Sequence, residues 1–227
     1  MPPAEAATWK VRHALVAAGV GLGASLAGAL LSRGGGITAL EVFALILPLQ
    51  SGATIGVALA MARRGGPIRD RLLLRAQRSD LVGLAVGVGI QILAAAMALV
   101  VVETFFGGEL PRQEIVEVVA TGVGPLEWLL VVLGLVVVGP VAEEIVFRGI
   151  LVSALIHRGP RFAVIVSSAA FALFHLVDPA AALSVPFLFV LAVVLASERL
   201  RTGRLGRPIA IHAGFNLVTV IGVMVSA

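Results

Sequence analysis

The chain has 227 residues, 59% hydrophobic and only 13% charged, with a mean hydropathy of +1.06; soluble domains run nearer half apolar and a quarter charged. It has no cysteine, which excludes disulfides, thiolate catalysis and Cys-ligated zinc. The net charge of +4 comes from arginines that flank apolar blocks, which argues for orientation in a bilayer and against a nucleic-acid partner.

The apolar residues fall in blocks long enough to cross about 30 Å of hydrocarbon at about 1.5 Å per residue. In chain order the expected spans lie near 14–32, 42–62, 81–102, 126–156, 162–177, 180–197 and 208–226. The first starts at a full-span block without a small-residue cleavage site, so it reads as a helix and not as a signal peptide. The fourth is overlong and contains Gly139-Pro140, with no polar turn at which two antiparallel helices would separate; a single helix kinked or tilted at Pro140 is the expectation. Asp178-Pro179 reads as a turn. The fold class is therefore all-α, a polytopic transmembrane bundle of seven spans, or eight if 103–125 hides another element. The chain reads as one integral membrane domain over 1–227.

The basic residues alternate between loops. Lys10 and Arg12 precede the first span, Arg63 to Arg78 lie between the second and third, Arg158 and Arg161 follow the fourth, and Arg199 to Arg207 precede the last. The longest alternate loop carries Glu103, Glu109, Glu114 and Glu117. The positive-inside rule then places the N-terminus and the basic loops in the cytoplasm. Trp9 and Trp128 fit an interfacial aromatic belt.

Ionisable groups are rare in membrane spans because each costs at least a few kcal/mol there. The first three spans are nearly free of them, holding the neutral Gln50 and Gln91, each expected to hydrogen-bond to a neighbouring helix. The motif-bearing part, about 126–226, concentrates Glu143, Glu144, Arg148, His175, His212 and Asn216. Glu144 and Arg148 stand four apart, acid first, and suit a salt bridge that cancels both charges, while Glu143 points about 100° away and stays free. Alone, such a cluster also suits a helix end emerging into water.

His175 alone reads as a hydrogen-bonded core histidine. Its position changes that. Glu143 and His175 lie about 16 residues on either side of the turn at Arg158-Gly159-Pro160-Arg161, so a helical hairpin sets them at one depth, roughly 24 Å from the turn. A facing carboxylate and imidazole can polarise a water or hold a metal. His212 and Asn216 share a helix face, with Gly214 between them leaving room for close approach, and offer donors for an oxyanion or a ligand with its support. The bland alternative is an interfacial histidine. Counting from the basic loop puts His212 on the order of 15 Å shallower than Glu143 and His175.

In this order Glu143-Glu144-Ile-Val-Phe-Arg148, Phe171 to His175 and His212 to Asn216 resemble the CPBP family of intramembrane proteases, which includes the type II CAAX prenyl endopeptidases. The family pattern is Glu-Glu-x-x-x-Arg, Phe-x-x-x-His and His-x-x-x-Asn on successive membrane helices; Arg201-Thr202-Gly203-Arg204-Leu205 is similar to the family as well. The resemblance covers roughly residues 140–217. It implies peptide-bond hydrolysis in the membrane, with Glu143 as the base that activates water, His175 helping to hold that water, and His212 and Asn216 stabilising the oxyanion. Glu144 and Arg148, with Phe171, would support them. No cofactor is required on this reading. Zinc held by Glu143, His175 and His212 with a fourth position for water is the alternative, although no His-Glu-x-x-His helix is present.

The implied partners are the lipid bilayer and a membrane-associated peptide or protein, either a prenylated CAAX-type peptide or a leader. The Ala-, Val-, Gly- and Arg-rich composition points to a bacterial inner membrane, where a leader is the better fit. Two other classes compete: a non-catalytic scaffold or immunity-type factor of the same fold, which needs no such residue set, and an ion-coupled transporter, which calls for polar groups in both halves and a repeat that this chain lacks.

Overall fold

The computed structural model describes residues 9–33, 39–65, 67–108, 124–177 and 179–226. All regular structure among them is helical, and seven long elements follow in order: α1 Val11–Arg33, α2 Ala39–Ala62, α3 Val82–Phe106, α4 from Pro125 to Arg158, α5 Pro160–Phe174, α6 Val185–Thr202 and α7 Gly206–Ser226. Five helical stretches are long and apolar enough to cross a membrane, Arg78–Phe106, Trp128–Arg158, Pro160–Val177, Ala181–Thr202 and Gly206–Val225. Shorter apolar stretches, Val11–Ala24 and Ile46–Ala62, belong to α1 and α2. The protein is thus a polytopic helical membrane bundle. Residues 109–123, most of the 103–125 stretch on which the alternative of an eighth element turns, and Asp178 of the expected turn lie outside the described residues.

The long fourth element is one continuous rod, as its lack of a polar turn requires. Pro140 does not break it. The turn Leu133–Val138 widens to π geometry just before the proline, and the Gly139 N–H reaches back five residues to the Gly134 carbonyl. A second π segment, Ile145–Leu151, follows Glu144 directly. Such wide turns relieve the clash between a proline ring and the preceding turn.

Helix α3 shows how the bundle is arranged for lipid. Ile92, Leu93, Met97, Leu99 and Val100 are exposed apolar side chains, stable only against hydrocarbon. Its other face lies backbone to backbone against α7. A side chain at Gly87 would overlap the Ile211 carbonyl and the Phe215 amide, and one at Gly214 would overlap the Leu84 backbone. Glycines are the residues that permit such approach between membrane helices. Gln91 Nε2 donates to Thr219 Oγ1 across the same seam at 3.0 Å, as expected of a polar residue in an apolar span.

The loop from α6 to α7 is drawn into the protein. Leu205 is fully buried, and its N–H donates to Leu73 O. Arg204 bonds Asp80 through Nε (3.0 Å) and Nη2 (2.7 Å). Arg199, counted in the sequence among the basic loop residues, is buried in α6, its Nε donating to Arg148 O (3.1 Å) and Nη2 to Ser153 Oγ (2.6 Å). Trp9 is likewise no interfacial anchor: it is buried, donates through Nε1 to Arg71 O and carries the Arg71 guanidinium over its ring.

Candidate active site

The site grows out of the two widened turns of α4. In π geometry the N–H that would reach Leu135 O belongs to Pro140, which has none. Asn216 of α7 takes that place, its Nδ2 donating to Leu135 O at 2.8 Å. The proline therefore leaves a part-buried carbonyl without a backbone donor, and Asn216 supplies one.

Beyond Pro140 come the two glutamates. Glu144 is fully buried, and its Oε1 accepts from Arg148 Nη1 and from His212 Nδ1, each at 3.0 Å. The i, i+4 pair read from the sequence is present, with His212 as a third member. Because a carboxylate beside an arginine accepts, His212 uses Nδ1 as its donor, and Nε2 is the nitrogen left for other work. That Nε2 lies 3.7 Å from Glu143 Oε2, too far for a direct hydrogen bond. Glu143 Oε2 is enclosed and has no hydrogen-bond partner, although the side chain as a whole is 30% exposed. A buried acceptor in that state costs about 1–3 kcal/mol until a donor reaches it.

Phe171 ties the histidines together. Its ring centroid lies 4.8 Å from that of His175 and 5.6 Å from that of His212, the latter edge-on. The Arg148 guanidinium sits 4.4 Å over the same ring. Phe171 O accepts from His175 Nδ1 at 2.9 Å, so in the neutral ring Nε2 is again the available nitrogen. His175 sits just past the end of α5, at the start of a 3-10 turn, and not within the helix as the sequence suggested.

Glu143, His175, His212 and Asn216 all line one cavity of about 360 Å³, walled by Ala94 and Ala98 of α3 and Phe187 of α6. This lies within the size range of ligand sites. The 15 Å depth difference expected for His212 is absent. The count took the arginines before α7 as surface markers, whereas Arg199 is buried on Arg148 and Ser153 and Arg204 is bonded to Asp80.

As ligands for a metal, Glu143, His175 and His212 do not converge. Among the described residues no three His, Asp or Glu side chains are close enough together to hold an ion. The Nδ1 atoms of both histidines are engaged by Phe171 O and Glu144, so Nε2 is the ring nitrogen each could offer an ion. Sequence reasoning missed the part played by Arg199, which braces α4 from α6 by donating to Arg148 O in the second π segment and to Ser153 Oγ just beyond it. It also missed Asp80, the anchor of the α6–α7 loop. An acid at the head of an apolar span was the available signal for Asp80.

No curated protein and no solved structure matches the chain. Residues 125–218 match the family model of type II CAAX prenyl endopeptidase Rce1-like proteins. The matched segment runs from the start of α4 into α7 and contains Glu143, Glu144, Arg148, Phe171, His175, His212 and Asn216, while α1 to α3 stand outside it. Over residues 125–218 the chain is therefore similar to the Rce1-like family of proteases.

Proposed function

We propose that the protein is an intramembrane endopeptidase in which Glu143 activates the attacking water. The observation that carries this reading is the unpartnered Glu143 Oε2, on a cavity shared with His175, His212 and Asn216. A water at that oxygen donates one proton to it. The Nε2 of His175 accepts the second hydrogen bond and orients the oxygen lone pair towards the scissile carbonyl. As the tetrahedral intermediate forms, Asn216 offers its second amide hydrogen to the oxyanion, and His212, having taken a proton from solvent at Nε2 before the attack, donates beside it and keeps that proton through the cycle. Glu143 then returns its proton to the leaving amine as the C–N bond breaks. Glu144 and Arg148 touch no substrate; they hold His212 in one tautomer and orientation.

The substrate is a membrane-associated peptide, either a leader or a prenylated C-terminal segment, reaching the cavity from the cytoplasmic side on which the basic loops lie. The cavity wall of alanines and Phe187 suits an apolar stretch.

The test is cleavage of a fluorogenic membrane-peptide library by detergent-purified protein, with and without chelator. Wild type cuts and continues to cut with chelator. Glu143→Gln falls to background. Asn216→Ala loses about 10²–10³ in kcat, the usual effect of one oxyanion donor. Loss with chelator that zinc restores would move His175 and His212 to metal ligands. Undiminished cutting by Glu143→Gln would end the assignment of the base, and no cutting by wild type on any peptide would favour the scaffold.

A further inference from the structure

A second, smaller recess touches the same carboxylate. It is lined by Gln50, Ser51 and Thr54 of α2, Gly21 of α1 and Phe174 of α5, and Glu143 is the residue common to its lining and that of the large cavity. Helices α1 and α2 lie outside the family match. We propose that this recess is a water site from which Glu143 draws the hydrolytic water, separate from the cavity that takes the peptide. The inference rests on the reading of Glu143 as the base.

The volume and the chemistry agree. The recess measures about 30 Å³, and one water needs about 10–15 Å³ on this measure together with two to four polar partners. Three polar side chains of the largely apolar α2 line the recess. Gln50 and Thr54, four apart, share a helix face, and Ser51 stands on the adjoining one. Thr54 spends its hydroxyl hydrogen on Gln50 O at 2.9 Å, so its lone pairs accept. Glu143 Oε2 is the enclosed acceptor without a donor. A side chain at Gly21 would stand 2.9 Å from Thr54 Oγ1, so the glycine keeps the recess open to the hydroxyl. Gln50 and Thr54 are therefore positioning residues, acting on the substrate only through the water.

The experiment compares wild type with the double variant Gln50→Leu/Thr54→Val and with Thr54→Ser. Steady-state cleavage is measured alongside thermal unfolding and hydroxyl-radical footprinting of Phe174 and Phe147, which border the recess. The double variant lowers kcat by about tenfold or more, the effect of losing one hydrogen bond to the water. KM stays within about twofold because the peptide lies elsewhere. Footprinting of the two phenylalanines falls with the bound water, and Thr54→Ser retains both signals. Unchanged kcat and footprinting overturn the proposal. So does a loss that tracks a lowered melting temperature and is not spared in Thr54→Ser. If Glu143→Gln proves fully active, the base assignment fails on its own, and the footprint still reports whether the recess holds water.

Discussion

Replacing Arg148 by Met isolates the energetics at the centre of the bundle. Both Arg148 and Glu144 have no exposed side-chain surface, and they meet at 3.0 Å. Removing the guanidinium leaves the Glu144 carboxyl group in an apolar interior with His212 Nδ1 as its remaining hydrogen-bond partner. Breaking one side of a buried pair costs about 3–5 kcal/mol, because the surviving charge keeps its desolvation penalty and loses its compensation. Lost stacking over Phe171 adds about 0.5–2 kcal/mol. The companion Glu144→Gln should cost a similar amount by stranding the arginine. The double variant Glu144→Gln/Arg148→Met strands neither charge and should recover much of the loss, giving a coupling of at least about 2 kcal/mol. The assay is reversible unfolding in mixed detergent micelles, followed by far-ultraviolet circular dichroism. A cost under about 1 kcal/mol for Arg148→Met, or simple additivity in the cycle, would refute the view that this pair is a compensated buried charge.

Gly87→Ala should destabilise the α3–α7 seam by about 1–3 kcal/mol, the cost of overpacking, since the added carbon would overlap the Ile211 carbonyl and lie 2.7 Å from the Phe215 amide; thermal unfolding in detergent reads it. Ala98→Leu should narrow the large cavity and raise KM for peptides with bulky apolar residues several-fold more than for small ones, measured by competition between two substrates. Asp80→Asn should weaken the paired bonds from Arg204, by about 1.5–3 kcal/mol for hydrogen bonds to a charged group. Its readout is faster tryptic cleavage at Arg204 with α7 otherwise intact.

Among the described residues, helix order and approximate bounds were legible because the bilayer imposes a length and a hydropathy that leave little alternative. The seven expected spans correspond to α1–α7, and the overlong fourth is a single rod. The residues proposed for the site drew notice for the same reason: Glu143, Glu144, Arg148, His175, His212 and Asn216 are costly in apolar spans, while the roles proposed for them came from the family resemblance. Spacing also paired Glu144 with Arg148 correctly.

Contacts between helices were decided elsewhere. That His212 bonds Glu144 and stands 3.7 Å from Glu143, that Asn216 replaces the hydrogen bond Pro140 cannot make, and that Arg199 serves α4 from within α6 all depend on side chains far apart in the chain. Hydropathy ranks residues by the solvent they prefer and carries no term for a partner. An arginine satisfied inside the protein and one bathed by the cytoplasm read alike in the sequence. Only the packed structure, in which each buried polar group must find its complement, separates them and sets the depth of α7.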